Sequence, residues 1–323
     1  MKTQGFVIFL AAVFSATLLA APGDPVLIVS GLQGASGSAV GPGGALYVTE
    51  GATGRILRVD PRTKEVTTFA SGLPPAVIPG LGGAIDVAFI GGTAYALVTL
   101  VGPDVGGTST VGVYRIDGPD SHTVIADIGA FAIANPPATQ FDVPSGLQYA
   151  IEAFRSGFLV SDGHHNRILH VSHDGEVNVM MAFDNIVPTG LAASGNTIYV
   201  AEAGPTPHLP ADGKVVALHP RSAAASQVAS GAPLLVDVEF GRGRTLYALS
   251  QGVFPGGPPA SPALPHTGSL VKVNGDGTLT TVVDGLNLPT SVEFIGNSAF
   301  VVSLAGEIWQ IDDVGTPPFG ARR

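Results

Sequence analysis

The 323-residue chain contains no cysteine. That excludes disulfides, thiolate metal ligands, a cysteine nucleophile and lipid attachment through cysteine. Charge is also scarce: Asp, Glu, Lys and Arg make up 12% of the residues and leave a formal net charge of −10, against roughly a quarter charged in ordinary soluble domains. A weakly charged, net acidic surface excludes a nucleic-acid backbone as partner, and Arg322-Arg323 is too small a basic patch to alter that. The patterns GxxxxGK, GxSxG and HExxH are absent, which removes the usual signatures of phosphate cradles, serine hydrolases and zinc peptidases. No coiled coil, charge block or linker divides the chain.

Glycine and proline are abundant, at 44 and 26 residues, and they punctuate short β-prone runs. Leu46–Glu50 and Arg55–Asp60 flank a glycine-bearing turn, with a run from Gly37 to Gly44 ahead of them and Glu65–Ala70 behind. Four antiparallel strands in about fifty residues make one propeller blade, and a blade cannot bury its faces without neighbours. The phrase returns: Tyr95–Val98, Phe158–Asp162, Ile198–Glu202, Leu246–Ser250 and Ala299–Ser303 occupy the second-strand position. Inner strands are expected to start at Ser38, Asp86, Gly146, Gly190, Asp237 and Ser291. Six starts predict an all-β, six-bladed propeller of four-stranded antiparallel blades. The last blade lacks a fourth strand after Ile311, and Pro25–Ser30 is expected to supply it and close the ring.

The first residues stand outside the repeat. Lys2 is their sole charge, Phe6–Phe14 is an apolar core of signal-peptide length, and Ala20-Ala21 offers small residues near a cut. Residues 1–21 are therefore expected to be a signal peptide and 22–323 a single propeller domain. The protein is expected to be exported to the periplasm or the extracellular space, as a monomer with no membrane span in the mature chain. Without cross-links, its stability must come from blade packing and ring closure.

Strand alternation places every long insert, 102–110, 129–142, 204–213 and 252–268, on the face where inner strands begin, here called the top. Loops on a rigid scaffold usually carry function. Phe131, Phe141 and Phe254, with His208 and His266, are the candidate ligand contacts, suited to an uncharged small molecule or an extracellular protein. His164, His165, His208 and His266 could act as bases or as transition-metal ligands, or could pack the inserts. His164, His208 and Glu202 are the catalytic candidates. Glu50, Asp86, Asp162, Glu202 and Asp237 are the candidate metal ligands, an oxygen-rich set suited to Ca2+ in the central channel. The alternative is that Glu50 pairs with Arg55 and Asp162 with Arg167, each across its own turn.

The phrases Gly43–Glu50 with Arg55–Asp60, Val187–Leu191 with Asn196–Glu202, and the related Val143–Leu147 and Leu288–Val292 resemble the six-bladed propellers grouped around NHL repeats, streptogramin lyase and gluconolactonase, and within them the secreted ScyD/ScyE type. The resemblance spans roughly residues 25–311. In the lactonases it implies a divalent cation held by a Glu at the first blade, an Asn beside an inner-strand start and an Asp from an Asp-Gly pair. Here Ser36-Gly37 and Ser145 stand at the first two positions, and only Asp162-Gly163 matches. In the lyases it implies a late His/Glu/His group, of which Glu307 offers a carboxylate alone. The expected function is a secreted binding or assembly propeller working through its top face. The alternative is a divalent-metal-dependent hydrolase or lyase.

Overall fold

The computed structural model describes residues 22–221, 224–258 and 260–315. The expected signal peptide and Arg322-Arg323 lie outside the described residues. Six sheets, each of four antiparallel strands, surround a common axis. From the inner strand outward, blade one is Ala35–Val40, Leu46–Glu50, Arg55–Val59 and Val66–Ala70. Blade two is Gly83–Ile90, Thr93–Thr99, Gly112–Gly118 and Ser121–Asp127. Blade three is Gln148–Phe154, Gly157–Asp162, Arg167–Ser172 and Val177–Ala182, and blade four is Pro188–Ser194, Thr197–Glu202, Lys214–Leu218 and Ser226–Ser230. Blade five is Leu235–Phe240, Leu246–Ser250, Gly268–Val273 and Leu279–Leu286. Blade six takes Pro289–Ile295, Ser298–Ser303 and Glu307–Ile311 from the C-terminal end and Val26–Val29 from the N-terminal end.

That last strand pairs Val26 with Gln310, Leu27 with Trp309 and, across an irregularity, Val29 with Ile308. The expected ring closure is therefore present. Apolar side chains cluster between blades rather than within them. Second strands such as Leu46–Glu50 are buried on both faces, whereas outer strands such as Val66–Ala70 are largely exposed. Leu46, Val48, Phe300, Val302 and Ile308 fill the junction of blades six and one, and Tyr47 meets Phe69 and Phe89 at the next junction with ring centroids 4.9 and 4.7 Å away.

Five of the six inner strands begin two or three residues earlier than the sequence suggests, and that of blade three begins two residues later, at Gln148 rather than Gly146. Each carries a bulge near its start: between Ala35 and Ser38, Ala84 and Asp86, Gln148 and Ile151, Pro188 and Leu191, Leu235 and Asp237, and Pro289 and Ser291. The regular alternation starts only past the bulge. Such bulges re-aim side chains beside functional sites. A short helix, Ile128–Ala134, opens the insert before blade three; Asp127 caps it by accepting from the Ala130 amide at 2.8 Å, and Ile128 and Ala132 bury against the ring. The start of the insert thus packs on the ring, while Ile133 and most of the residues after it are exposed. Among the described residues no helix is long and apolar enough to cross a membrane.

A chain begun at Gly31 leaves Glu307–Ile311 as an open sheet edge. It is expected to melt at a lower temperature than a chain begun at residue 22 or to elute as aggregate, checked by thermal denaturation and size-exclusion chromatography. Equal midpoints and monomeric elution would contradict the closure.

Candidate functional site

Because the bulges lie at the top of every inner strand, they shape one axial funnel. Its cavity of about 630 Å³ is lined by all six inner strands and by the inserts above them. The rim includes Gln140, Phe141, Asp142, His164, His208 and Ser261, and the carboxylates of Asp86, Glu152, Asp237, Glu239 and Glu293 line the channel. No lysine or arginine is among the lining residues. A cavity of this size suits a small molecule.

Two histidines of the rim are chemically prepared. His208 is buried, and its Nδ1 lies 3.2 Å from the Ala203 carbonyl. A carbonyl only accepts, so Nδ1 is the donor, and in the neutral ring Nε2 is left as the acceptor. Phe254 stands edge-on to the same ring at 5.0 Å, holding it from the blade-five insert. His164 Nε2 is 3.0 Å from the Tyr149 hydroxyl. Burial holds His164 below the usual imidazole range, against the opposing pull of Asp142 and Asp162, while His165 and His208 push it further down. Burial likewise pushes the Tyr149 phenol up, so it stays protonated and able to donate.

The carboxylates divide into two groups. Asp86 gives one oxygen to the Val87 amide and the other to the Ile151 amide, both at 2.8 Å. Asp237 repeats the pattern with Val238 at 2.8 Å and Val292 at 2.7 Å. These two tie adjacent inner strands together, each oxygen accepting one backbone amide. Glu239 gives only Oε2 to its neighbour, the Phe240 amide, at 2.7 Å. Burial raises them all: Glu152 and Asp237 to about 7, and Asp86, Glu239 and Glu293 well above the ordinary carboxylate range. Mutual repulsion adds to this, most of all at Glu239 and Glu293.

The divalent cation of the lactonase resemblance does not fit this donor set. Asp86 and Asp237 are committed to backbone amides, and among the described residues no three His, Asp or Glu side chains converge as metal ligands. Calcium asks for six to eight oxygens at about 2.4 Å.

Of the residues expected from sequence, Phe141, His164, His208, Asp86 and Asp237 meet at the funnel. The others do not. Glu50 binds Arg55 at 2.6 Å and the Gln33 amide at 2.7 Å, and Asp162 binds Arg167 at 2.7 Å and His165 at 3.0 Å, so both tie turns to the sheet. Glu202 is buried outside the funnel, its carboxyl pushed up to about 7 by burial against the pull of Lys214. Phe131 packs under the Arg167 guanidinium, Phe254 stands behind His208, and His266 is exposed on its insert. Sequence reasoning missed Tyr149, Glu152, Glu239 and Glu293. A signal existed for the last two: Asp237-Val238-Glu239-Phe240 and Ser291-Val292-Glu293-Phe294 repeat one inner-strand phrase, of which Asp86-Val87-Ala88-Phe89 is the version with alanine in place of the glutamate.

No protein-family model matches the chain, and no curated protein sequence matches it. Solved structures do share its architecture. A gluconolactonase from Xanthomonas campestris superposes with a TM-score of 0.61 at 13% identity, covering 91% of this chain and 89% of its own. Virginiamycin B lyase from Staphylococcus aureus gives 0.53 at 12%, covering 90% and 98%. The quinone-bound aldose sugar dehydrogenase of Streptomyces coelicolor gives 0.58 at 14%, covering 91% and 99%. The chain therefore has the six-bladed fold found in lactonases, lyases and sugar dehydrogenases. Three chemistries on one scaffold leave the site itself to argue function.

The raised carboxyls set a pH dependence. A carboxyl whose pKa is higher in the folded than in the unfolded chain keeps its proton after the unfolded form has lost it. Its stabilising effect is complete below the ordinary carboxylate range and is lost as pH rises through about 7. The melting midpoint is expected to fall from pH 5 to pH 8, and Glu239→Gln to flatten that fall. A midpoint that rises over this interval would contradict the assignment.

Proposed function

We propose that the protein is an exported, monomeric enzyme of the hydrolase or lyase type that acts on a small molecule in the axial funnel by acid–base chemistry, with His208 as base. Kinship with ScyD/ScyE-type propellers is part of the same proposal. The observation that carries it is the tautomer of His208, whose Nδ1 is anchored on the Ala203 carbonyl so that Nε2 is the ring's proton acceptor beside the cavity. Proton transfer to Nε2 makes an imidazolium that the same carbonyl stabilises. The Tyr149–His164 pair supplies the complementary donor for a leaving oxygen. The lactonases and lyases that share the fold support a reading of this class, although the residues here do not assemble their kind of metal centre.

Leu209, Val253 and Leu264, each about half exposed on the top inserts, favour a second reading in which this face holds an extracellular protein without turnover.

The test is a panel of lactones and cyclic esters assayed with chelator-treated protein. Turnover is expected to survive chelation. His208→Ala is expected to lower kcat/KM by about 10²- to 10⁴-fold, with Tyr149→Phe giving a smaller loss. Full activity in His208→Ala would overturn the assignment of the base. Turnover that appears only on adding calcium would restore the metal-dependent mechanism, and no turnover with capture of a protein by the top face would favour the second reading. An N-terminus at Met1 in protein from its native cells would reject export through a cleaved leader.

A further inference from the structure

We infer that the molecule taken into the funnel is an organic cation, an ammonium on a largely apolar body, whose charged end descends to Glu239 and Glu293. The inference rests on the funnel being the working site and adds the chemical class of its occupant. It stands on the lining as a whole. Six carboxyl side chains and no lysine or arginine line one continuous cavity of about 630 Å³, so an anionic ligand meets no fixed counter-charge, whereas a cation favours the ionised form of the glutamates whose protons burial retains.

Not all six carboxyls are available: Asp142 belongs to the rim, and Glu152 accepts from the Ala193 and Ala153 amides. Asp86 and Asp237 have both oxygens on backbone amides. Glu239 keeps Oε1 open after giving Oε2 to the Phe240 amide. Glu293 meets no hydrogen-bond donor among the described residues; what surrounds it is burial and the negative fields of Glu239, Asp237, Glu152 and Asp86. A part-buried acceptor of this kind is ordinarily matched by a lysine, an arginine or an amide. Here the carboxyl keeps a proton instead, and a cation entering from outside would take that proton's place.

The spacing decides which kind of cation. No three acidic or imidazole side chains of the described residues converge closely enough to chelate a metal ion. An ammonium makes a weaker geometric demand, since its three donors are satisfied by separate acceptors at hydrogen-bond distance. Above the carboxyls the wall adds apolar faces, Leu81, Phe141, Val187, Leu234 and Leu304, between the polar rim residues Gln140, Asp142, His164 and His208. Charge below and hydrocarbon above describe an amine with a lipophilic body.

The test compares three probes of nearly equal shape by titration calorimetry at pH 8, above the value of about 7 to which burial raises Glu152 and Asp237: phenylbutylamine, phenylbutanol and phenylbutyrate. Wild-type protein is expected to bind the amine at least about tenfold tighter than the alcohol, with the carboxylate weakest. In Glu239→Gln and in Glu293→Gln the amine-to-alcohol ratio is expected to shrink, and in the double variant to approach about one, while the alcohol's affinity stays within about threefold and so reports an intact funnel. The wild-type comparison stands even if a variant fails to fold. The inference is overturned if the amine does not bind, if it binds no tighter than the alcohol, or if the ratio is unchanged in folded glutamine variants. Equal binding of amine and alcohol would sink the cation while leaving the funnel as the site. Full turnover in His208→Ala would sink the base while leaving the probe ratio untouched.

Discussion

The structure depends on a hoop of hydrogen bonds around its axis. A propeller blade buries its faces only against other blades, so each junction must be held in register without help from cross-links. Every junction here has a side chain on, or beside, an inner strand bonded to the backbone of the next blade. Thr49 donates to the Ile85 carbonyl at 3.1 Å, Asp86 accepts from Ile151 at 2.8 Å and Ser161 donates to Thr189 at 2.5 Å. Thr189 then donates to Leu235 at 2.9 Å, Asp237 accepts from Val292 at 2.7 Å, and Thr290 donates to Ser36 at 2.8 Å. The circuit ends where the two ends of the chain meet, and the Ser38 and Ser291 hydroxyls, 2.7 Å apart, add a second bond at that junction. A gap at any one junction would expose the apolar faces of two blades, which is why a chain of such low charge needs the ring closed.

The hoop also has a period of three blades. Asp86 and Asp237 occupy the same inner-strand position in blades two and five, opposite each other, and each is approached by a glycine of the preceding blade. A Cβ on Gly37 would lie 2.6 Å from the Asp86 Cα, and one on Gly190 would lie 2.4 Å from the Asp237 Cα. Glycine is required at both positions by this close approach, and the two aspartates then reach forward to blades three and six. Placing carboxylates there has a cost, because burial raises both. The four amide bonds they accept offset part of it. The funnel thus takes part of its negative lining from the bonds that hold the ring.

Much of this was legible in the sequence because it is local. Six recurrences of one strand phrase, the unmatched first strand and the placement of long inserts on one face follow from period-two alternation and turn residues. Glu50–Arg55 and Asp162–Arg167 are directly opposed across short turns, so their pairing was among the readings the sequence offered. Glu202 and Lys214 are opposed in the same way, but a twelve-residue separation filled by an insert hides it. The funnel was only half legible. Glu152, Glu239 and Glu293 come from three blades, and nothing in any one strand says that its glutamate faces a carboxylate from another. The bulges blurred the matter further, since they shift which residues of an inner strand face the axis just where the alternation would be counted. The histidines were visible as residues, but their roles depend on contacts such as His208 with Ala203 and His164 with Tyr149.

The inner ring and the inserts pull the symmetry in opposite directions, and that opposition locates the chemistry. The hoop treats blades two and five alike, so the channel taken alone would offer two similar sides. The top does not: a short helix and its following loop bring Phe141 and Asp142 over blade three, and the 204–213 and 252–268 inserts bring His208 and Phe254 over blades four and five. Blades one and six end in minimal turns at 51–54 and 304–306. A ligand therefore meets a bare wall on one side and a wall of imidazoles, a phenol and aromatic rings on the other, above a floor whose charge belongs to all sides. On the proposed reading, orientation is imposed from above and charge selection from below. If His208 is the base proposed above, that division lets the inserts change which bond is presented to it without disturbing the hydrogen bonds that keep the ring closed.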